Sequence, residues 1–267
     1  MRYAGFGSVS ELAQLLRVSE MTVRRDMQNL AARHLLRQVH GGANAITDAT
    51  EDDEFRVRSA RGASAKHLIA RAALEYLRPR TGIALDSGTT TLELARQLPS
   101  NLDLHVVTHS LPALTELSRR EGIEVVSLGG ALEAHTRSFV GPMTLSAIEG
   151  LRVDTFFLTC GAVREGSTYV GTPFDAEIKR ALTDVCDRVV LLADSLKFSA
   201  TSLFPAVSLE RVDVVITDQQ ASPEVLDELR GLGADVVVTP LTSEEYAGGS
   251  PGQAADPESA ANGSAPR

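Results

Sequence analysis

Apolar residues follow two regimes along the chain, helical spacing in short segments before about residue 42 and compact runs after about residue 80. In the first regime, residues 10–16 form a short amphipathic segment with Leu12, Leu15 and Leu16 on its apolar side. Arg17-Val18 makes a turn, and Ser19 is placed to cap a second helix, because its hydroxyl accepts a backbone N–H that the first turn leaves unpaired. That helix, from Glu20 to about residue 33, carries Val23, Met27 and Leu30 at spacings of four and three. At about 100° per residue Arg25 points nearly opposite this stripe. Met21, Arg24, Gln28 and Asn29 flank Arg25, and Thr22 lies toward the other edge. Residues 35–42 read as two short strands and a turn, a wing that carries Arg37 and His40.

In the second regime, strand-length apolar runs stand at 83–85, 104–107, 124–128, 155–159, 189–193, 214–217 and 236–239. Helical patterns at 91–98, 111–120, 175–186 and 223–232 separate most of them, and another covers 59–77 with Leu68, Ile69, Ala72, Ala73 and Tyr76 on one side. Continuous apolar strands alternating with helices predict a mostly parallel sheet covered on both faces, a doubly wound α/β domain. Residues 44–58, with the acidic run Glu51, Asp52, Asp53 and Glu54, are expected as a linker, and the Gly-, Ser-, Pro- and Ala-rich residues 242–267 as a disordered tail. The predicted organisation is therefore a head at 1–43, the linker, an α/β body at 59–241 and the tail.

Charge changes the picture at one end. The 267 residues carry a net charge of −9, which on its face argues against a nucleic-acid partner. Residues 1–42, however, hold six Arg against three acids, so the head is basic and the body acidic. That asymmetry suits a DNA-binding module fused to something else. No run approaches the roughly 18–20 apolar residues of a membrane span and nothing resembles a signal peptide, so a cytoplasmic protein is expected. Cys160 and Cys186 match no metal or redox spacing and are expected as reduced packing residues. His34, His67, His105, His109 and His135 show no metal-ligand spacing, and no cofactor or metal is expected.

The sharpest local chemistry lies at Asp86-Ser87-Gly88-Thr89-Thr90-Thr91, a small-residue loop between a strand and a helix. The unpaired N–H groups of a helix's first turn, with its positive dipole end, favour an anion there. Gly88 permits close backbone approach and the hydroxyls add donors, which is the chemistry a phosphate group needs. The loop is neither a P-loop nor a dinucleotide fingerprint. Thr108, Gly129, Gly130, Gly161, Asp194 and Lys197 fall at or near the carboxyl ends of other strands, where open α/β sheets bind ligands, and Asp175, Glu177 and Lys179 begin a helix. Of this helix, Glu177 joins the candidate effector site.

Ser19, Thr22, Val23, Arg24, Arg25, Asp26 and Leu30, then Arg37, His40, Gly41, Gly42 and Ala43, resemble the DeoR family of bacterial regulators. The likeness continues through Asp86 to Thr91, Leu128-Gly129-Gly130, Asp194, Lys197-Phe198 and Ile216-Thr217-Asp218, covering roughly residues 5–240. The resemblance implies a winged helix-turn-helix that binds double-stranded operator DNA, usually as a repressor. It also implies a sensor domain similar in fold to ribose-5-phosphate isomerase and coenzyme A transferases, a phosphorylated sugar or related anionic metabolite as effector, and a homo-oligomer, commonly a dimer or tetramer. Ser19, Met21, Thr22, Arg24, Arg25, Gln28, Arg37 and His40 are the expected DNA contacts. Family members carry a further helix before the segment that starts here near Gly5, where this chain has only Met1-Arg2-Tyr3-Ala4. That helix is expected to be missing, through a start assigned too far downstream or a weakened head, leaving Leu12, Leu16, Val23 and Met27 short of cover. An isomerase-like enzyme, for which Asp194, Glu177 and Lys197 would supply acid–base groups, and an interaction module with a degenerate pocket are the alternatives.

Overall fold

A computed structural model of the chain describes residues 6–16, 18–32, 36–39, 41–44 and 51–240. In the head, β1 (Phe6–Ser8) is followed by α1 (Val9–Leu16) and α2 (Glu20–Ala32), then by β2 (Arg37–Val39) and β3 (Gly42–Asn44). β3 lies between β1 and β2 and pairs antiparallel with both. The Thr22 N–H donates to Ser19 Oγ at 3.1 Å, so the helix start at Ser19 is built as the sequence suggests. Val9, Ala13, Val23, Met27, Leu36 and Ala43 form the small core, with Leu12 and Ala31 against it. The apolar side of α1 differs from expectation. Val9, Leu12 and Ala13 pack inward, whereas Leu15 is 77% and Leu16 60% exposed. The two leucines sit in the last turn of α1. Val23 and Met27 are buried, so only Leu16 of the expected quartet is left uncovered by the described residues.

The segment expected as a linker is helical from Glu51 onward: α3 (Glu51–Ala60) buries Phe55 among the body's side chains. Nor is 59–77 one continuous helix. Gly62 takes a left-handed φ of 65° and starts a new helix, α4 (Ala63–Ala73), which ends in a 3-10 turn over Leu74–Tyr76. Such a conformation is costly for residues with a Cβ, so the break falls at the glycine.

The body then runs β4 (Gly82–Leu85), α5 (Thr89–Gln97), β5 (Leu104–Thr108), α6 (Leu111–Leu117) and β6 (Ile123–Ser127). After the hairpin β7 (Ala131–Glu133) and β8 (Ser138–Val140) come α7 (Pro142–Glu149) and β9 (Val153–Leu158). β10 (Ala162–Arg164), β11 (Ser167–Val170), α8 (Pro173–Asp184), β12 (Cys186–Leu192) and β13 (Phe204–Ser208) follow, then β14 (Val214–Asp218), α9 (Pro223–Gly231) and β15 (Asp235–Thr239). Seven strands form one sheet in the order β15-β14-β12-β9-β4-β5-β6, and every pairing is parallel. Each corresponds to one of the apolar runs read in the sequence. β10, β11 and β13 make a separate antiparallel sheet that the sequence pattern did not announce.

Side chains alternate across the main sheet. Phe156 and Leu158 join one core with Ile178, Leu182 and Leu229, on the side of α7, α8 and α9. Phe157 joins the other with Ile69, Leu94 and Leu117, on the side of α4, α5 and α6. The strand order also reverses once. From β4 the chain winds outward through β5 to β6, then returns to β9 on the other side of β4 and winds outward to β15. The loops after β4 and β9 therefore diverge to opposite faces, opening a crevice at the strand ends between them. No helix among the described residues is long and apolar enough to cross a membrane.

Candidate functional site

A cavity of about 560 Å³ lies at this reversal, within the usual size of small-ligand sites. Ser87, Gly88, Thr89 and Thr90 line it from the loop after β4, and Thr159, Cys160 and Gly161 from the loop after β9. Asp194 and Lys197 reach it from the 3-10 turn after β12. Arg58 and Arg61 enter from α3 and the turn that follows it, Lys66 from α4, and Asp175 and Lys179 from α8. The lining is cation-rich, five Lys or Arg against two carboxylates.

The loop after β4 is pinned from below. The Asp86 carboxylate is fully buried and accepts from the Ser87 N–H (2.8 Å), the Thr159 N–H (2.8 Å) and the Thr159 hydroxyl (2.8 Å). The Lys179 ammonium donates to both its oxygens at 2.7 and 2.5 Å and lies 3.1 Å from Asp175. Asp86 thus ties the loops after β4 and β9 together, and its bonding is directed into the protein. Thr91 Oγ1 donates to the Asp86 and Gly88 carbonyls, and Thr108 Oγ1 to the Leu85 carbonyl. Asp86, Thr91 and Thr108, expected as effector contacts, direct these bonds into the protein and brace the loop after β4. The first intrahelical bond of α5 runs from the Leu92 N–H to the Gly88 carbonyl. The N–H groups of Thr89, Thr90 and Thr91 precede it at the positive end of the helix dipole. Gly88 is sterically required, since a Cβ there would lie 2.1 Å from Thr159 Oγ1.

One cation serves two buried carboxylates at this point. Burial raises Asp86, but Lys179 and His109 outweigh it and hold Asp86 below the usual carboxylate range. Asp175 is pushed up, by burial first and by Asp86 in addition. Lys179 is raised because the attraction of Asp175 and Asp86 exceeds its own burial cost. His109 is fully buried 3.7 Å from Asp86, and burial takes its imidazole down to about 4, so it is neutral. Asp86, His109 and Asp175 bring donor atoms within 4.8 Å of one another, the outline of a metal site. The Lys179 ammonium already bonds Asp86 and pairs with Asp175 there, so the set does not suit a metal ion. On α8, residues 175 and 179 are four apart and face inward, while Glu177 between them is exposed and does not line the cavity. Helical periodicity thus selects Lys179, which sequence reasoning passed over, and removes Glu177 from the site and from any acid–base role there. Gly129 and Gly130 are also absent from the lining, and a Cβ at Gly130 would collide with Thr144 and Val140.

Hydrogen bonding within the cavity is incomplete. Asp194 Oδ1 is buried and finds no hydrogen-bond partner among the described residues. A buried carboxylate oxygen without a donor is costly, and a ligand hydroxyl would relieve that cost. Asp218 fixes the loop that carries it, accepting from the Ser195 and Gln220 N–H groups. Lys66 is 5% exposed, and its ammonium donates to the Arg58 and Arg61 carbonyls at the end of α3. Burial pulls Lys66 down to about 8 despite the attraction of Asp194. Cys160 also lines the cavity, and burial pushes its thiol up to about 12, which keeps it protonated and unreactive.

In the head, the face of α2 opposite Val23 and Met27 carries Arg24, Arg25 and Gln28, all exposed, with Ser19, Met21 and Thr22 exposed at its start. Arg24 forms only a loose pair with Glu20, 3.7 Å away on the surface. Arg37 lies in β2, the first strand of the wing, and His40 falls outside the described residues. The helix α2, with a free polar face and a hairpin beside it, has the form that enters a major groove.

The class that this fold defines is a winged helix-turn-helix joined to an α/β body with a cavity at its sheet reversal. Two family models match the chain, a DeoR-like helix-turn-helix domain over residues 1–49 and a DeoR C terminal sensor domain over residues 61–219. The protein belongs to the DeoR family. It is 30% identical over 241 residues to a putative aga operon transcriptional repressor of Escherichia coli O157:H7, covering 89% of this chain and 90% of that protein. It is 33% identical over 236 residues to the uncharacterized HTH-type transcriptional regulator YulB of Bacillus subtilis (strain 168), covering 88% and 91%. With the transcriptional repressor AccR of Agrobacterium fabrum it shares 32% over 220 residues, covering 82% and 85%. Ribose 5 phosphate isomerase A from Neisseria gonorrhoeae overlays at a TM-score of 0.38 with 18% identity, covering 58% of this chain and 56% of that one, too slight a likeness to argue from.

Proposed function

We propose that the protein is a cytoplasmic DNA-binding transcriptional repressor of carbohydrate-metabolism genes, released or retained at its operator by a phosphorylated sugar. The observation that carries this reading is the cavity at the sheet reversal, with complementary chemistry at its walls. The N-terminus of α5, the Ser87 to Thr90 loop and the cations Lys197, Lys66 and Arg58 suit a phosphate. The Asp194 oxygen that has no partner among the described residues suits a sugar hydroxyl. Relatives named as repressors of sugar-linked operons support the direction of control, among them the aga repressor and the repressor GlcR of Bacillus subtilis (strain 168), 28% identical to this chain. Others are named L-fucose operon activators, including one from Escherichia coli (strain K12), 32% identical over 212 residues. A homo-oligomer presents two α2 helices to a two-fold operator, as helix-turn-helix proteins do.

The test is thermal melting of the full chain against a panel of sugar phosphates, each beside its unphosphorylated sugar. A ligand at about 100 times its Kd adds roughly 2.7 kcal/mol, a shift on the order of 5–10 °C for a body of this size. A shift with a phosphorylated compound and none with its parent sugar is expected. Equal shifts from both members of a pair would sink the phosphate assignment, and no shift across a broad panel would sink the sugar phosphate as effector.

A further inference from the structure

Exposed apolar side chains in the head fall in two places. Leu15, Leu16 and Val18 stand at the end of α1 and in the turn after it, whereas Met21, 77% exposed, belongs to the first turn of α2. At about 100° per residue, Met21, Arg25 and Gln28 span an arc of about 60° on the side of α2 opposite the buried Val23 and Met27. Spacings of four and three set these side chains in one row along the helix. The row starts with a thioether chain and continues with a guanidinium and a carboxamide, all exposed.

The polar groups beside Met21 are engaged in the helix start itself. Ser19 Oγ accepts the Thr22 N–H at 3.1 Å and lies 2.9 Å from Thr22 Oγ1, and Arg24 leans toward Glu20, 3.7 Å away. Met21 is thus the apolar member of the turn that leads the helix into a groove, since the first residues of a recognition helix meet base edges. Base edges in the major groove differ in their donors and acceptors, and thymine adds a methyl group at C5. A methionine pressed against a donor or acceptor strips it of water and gives no adequate bond in return, which costs affinity. Against the thymine methyl, the same flexible, polarizable chain buries apolar surface at no such cost.

We propose that Met21 is a specificity-determining residue of the head, reading the C5 methyl of a thymine in the operator by apolar contact. The proposal rests on the reading of α2 as the element that enters the major groove. The test begins with selection of duplexes by the full chain from a pool of random sequence. Each thymine of the selected sequence is then replaced in turn by deoxyuridine, which removes the methyl and leaves every hydrogen-bonding group in place. At one thymine position the replacement is expected to weaken the parent protein's binding about fourfold, the worth of one buried methyl-sized group. That sensitivity should vanish in Met21→Ala and persist in Met21→Leu, which keeps an apolar chain. Met21 is exposed, so both variants are expected to fold, and melting of each without DNA checks this. Binding indifferent to deoxyuridine at every position would overturn the proposal, as would a sensitivity that Met21→Ala leaves unchanged. Equal weakening of the thymine and deoxyuridine duplexes in Met21→Ala, with a lowered mass in sedimentation, would overturn it too. Met21 would then belong with Leu15 and Leu16 to a contact between copies of the chain. Selection of no sequence at all would sink the DNA-binding reading itself, and the proposal with it.

Discussion

The residue on which the cavity floor turns is Lys179, with no exposed role of its own. Its ammonium is the cation between Asp86 and Asp175, and Asp86 in turn holds the loops after β4 and β9. Removing one partner of a buried charge pair leaves the other unpaired, at a cost of about 3–5 kcal/mol. Lys179→Met is therefore expected to lower stability by that amount in denaturant unfolding, and an unchanged midpoint would show that the pair carries no weight. The sign of the pH dependence follows from the shifts. Asp86, held low, contributes stability that is present above its unfolded value and is lost as pH falls through its folded value. Lys179, raised, contributes stability that is present below its unfolded value and is lost as pH rises through its folded value. Lys66 behaves in the opposite sense, because burial brings it down to about 8 and the folded chain releases its proton first. Its charge weakens folding below about 8, and that penalty lifts as pH rises toward its unfolded value. An anion in the cavity, beside Lys66, Lys197, Arg58, Arg61 and Asp194, favours the charged ammonium. Sugar-phosphate affinity is therefore expected to fall as pH rises through about 8, with proton uptake on binding near that pH. Calorimetry in two buffers of different ionisation enthalpy reads that uptake, and equal heats in both would remove Lys66 from the binding site.

At the scale of elements, Gly62 separates α3 from α4 and lets α3 turn along the cavity wall. Gly62→Ala meets no close contact, the nearest atom being Asp194 Oδ2 at 3.8 Å, so its cost is the left-handed backbone alone. That cost is about 1–2 kcal/mol and should appear as a lowered melting temperature with the effector response retained. A response lost together with little change in melting would show that the bend matters for binding and not for folding. The elements also show where sequence pattern succeeds. The seven strands of the main sheet were legible because each is an apolar run, and the inner ones are buried on both faces, as Phe156 and Phe157 illustrate by pointing to opposite cores. Its companions β10, β11 and β13 are short and mix Arg164, Ser167 and Pro205 with apolar residues, so no period marks them. α3 was hidden because its acidic first turn looks like a solvated spacer, and Phe55 is its one large apolar anchor. The loop from Ser87 to Thr90 announced itself by composition, as did Asp194 and Lys197 by their place after a strand. Lys66, Lys179 and His109 did not, because a buried cation or imidazole is recognisable only once its partners, distant in sequence, are known. Periodicity within α8 was the one available signal: Asp175 and Lys179 share a face that Glu177 does not.

For the whole molecule, the functional question is how a ligand in the body reaches the head. The wing ends at Asn44 and α3 begins at Glu51, so the first element of the body after the head is the one whose Arg58 lines the cavity. Lys66 bonds the carbonyls at the far end of the same helix. An anion that draws Arg58 and Lys66 toward itself is expected to compete with those bonds and to bias the seating of α3, the route by which ligand binding would act on the head. Coupling between the sites can be no larger than that difference in affinity, and it acts equally in both directions. The division of labour is separable by mutation. Arg25 is exposed on the free face of α2, whereas Lys197 sits in the cavity of the body. Arg25→Ala is expected to weaken operator binding, lowering the salt slope by about 1 if it pairs with a phosphate or costing about 1–3 kcal/mol at one base pair if it reads a base edge. The sugar-phosphate melting shift should stay at its parent value in that variant. Lys197→Ala should do the reverse, sparing operator affinity in the absence of ligand while blunting the ligand's effect on it. Operator titrations across salt concentrations, with and without the shifting ligand, measure both halves at once. Parallel loss of DNA and ligand binding in either variant would mean that head and body fail as one unit, and the route through α3 would have to be given up.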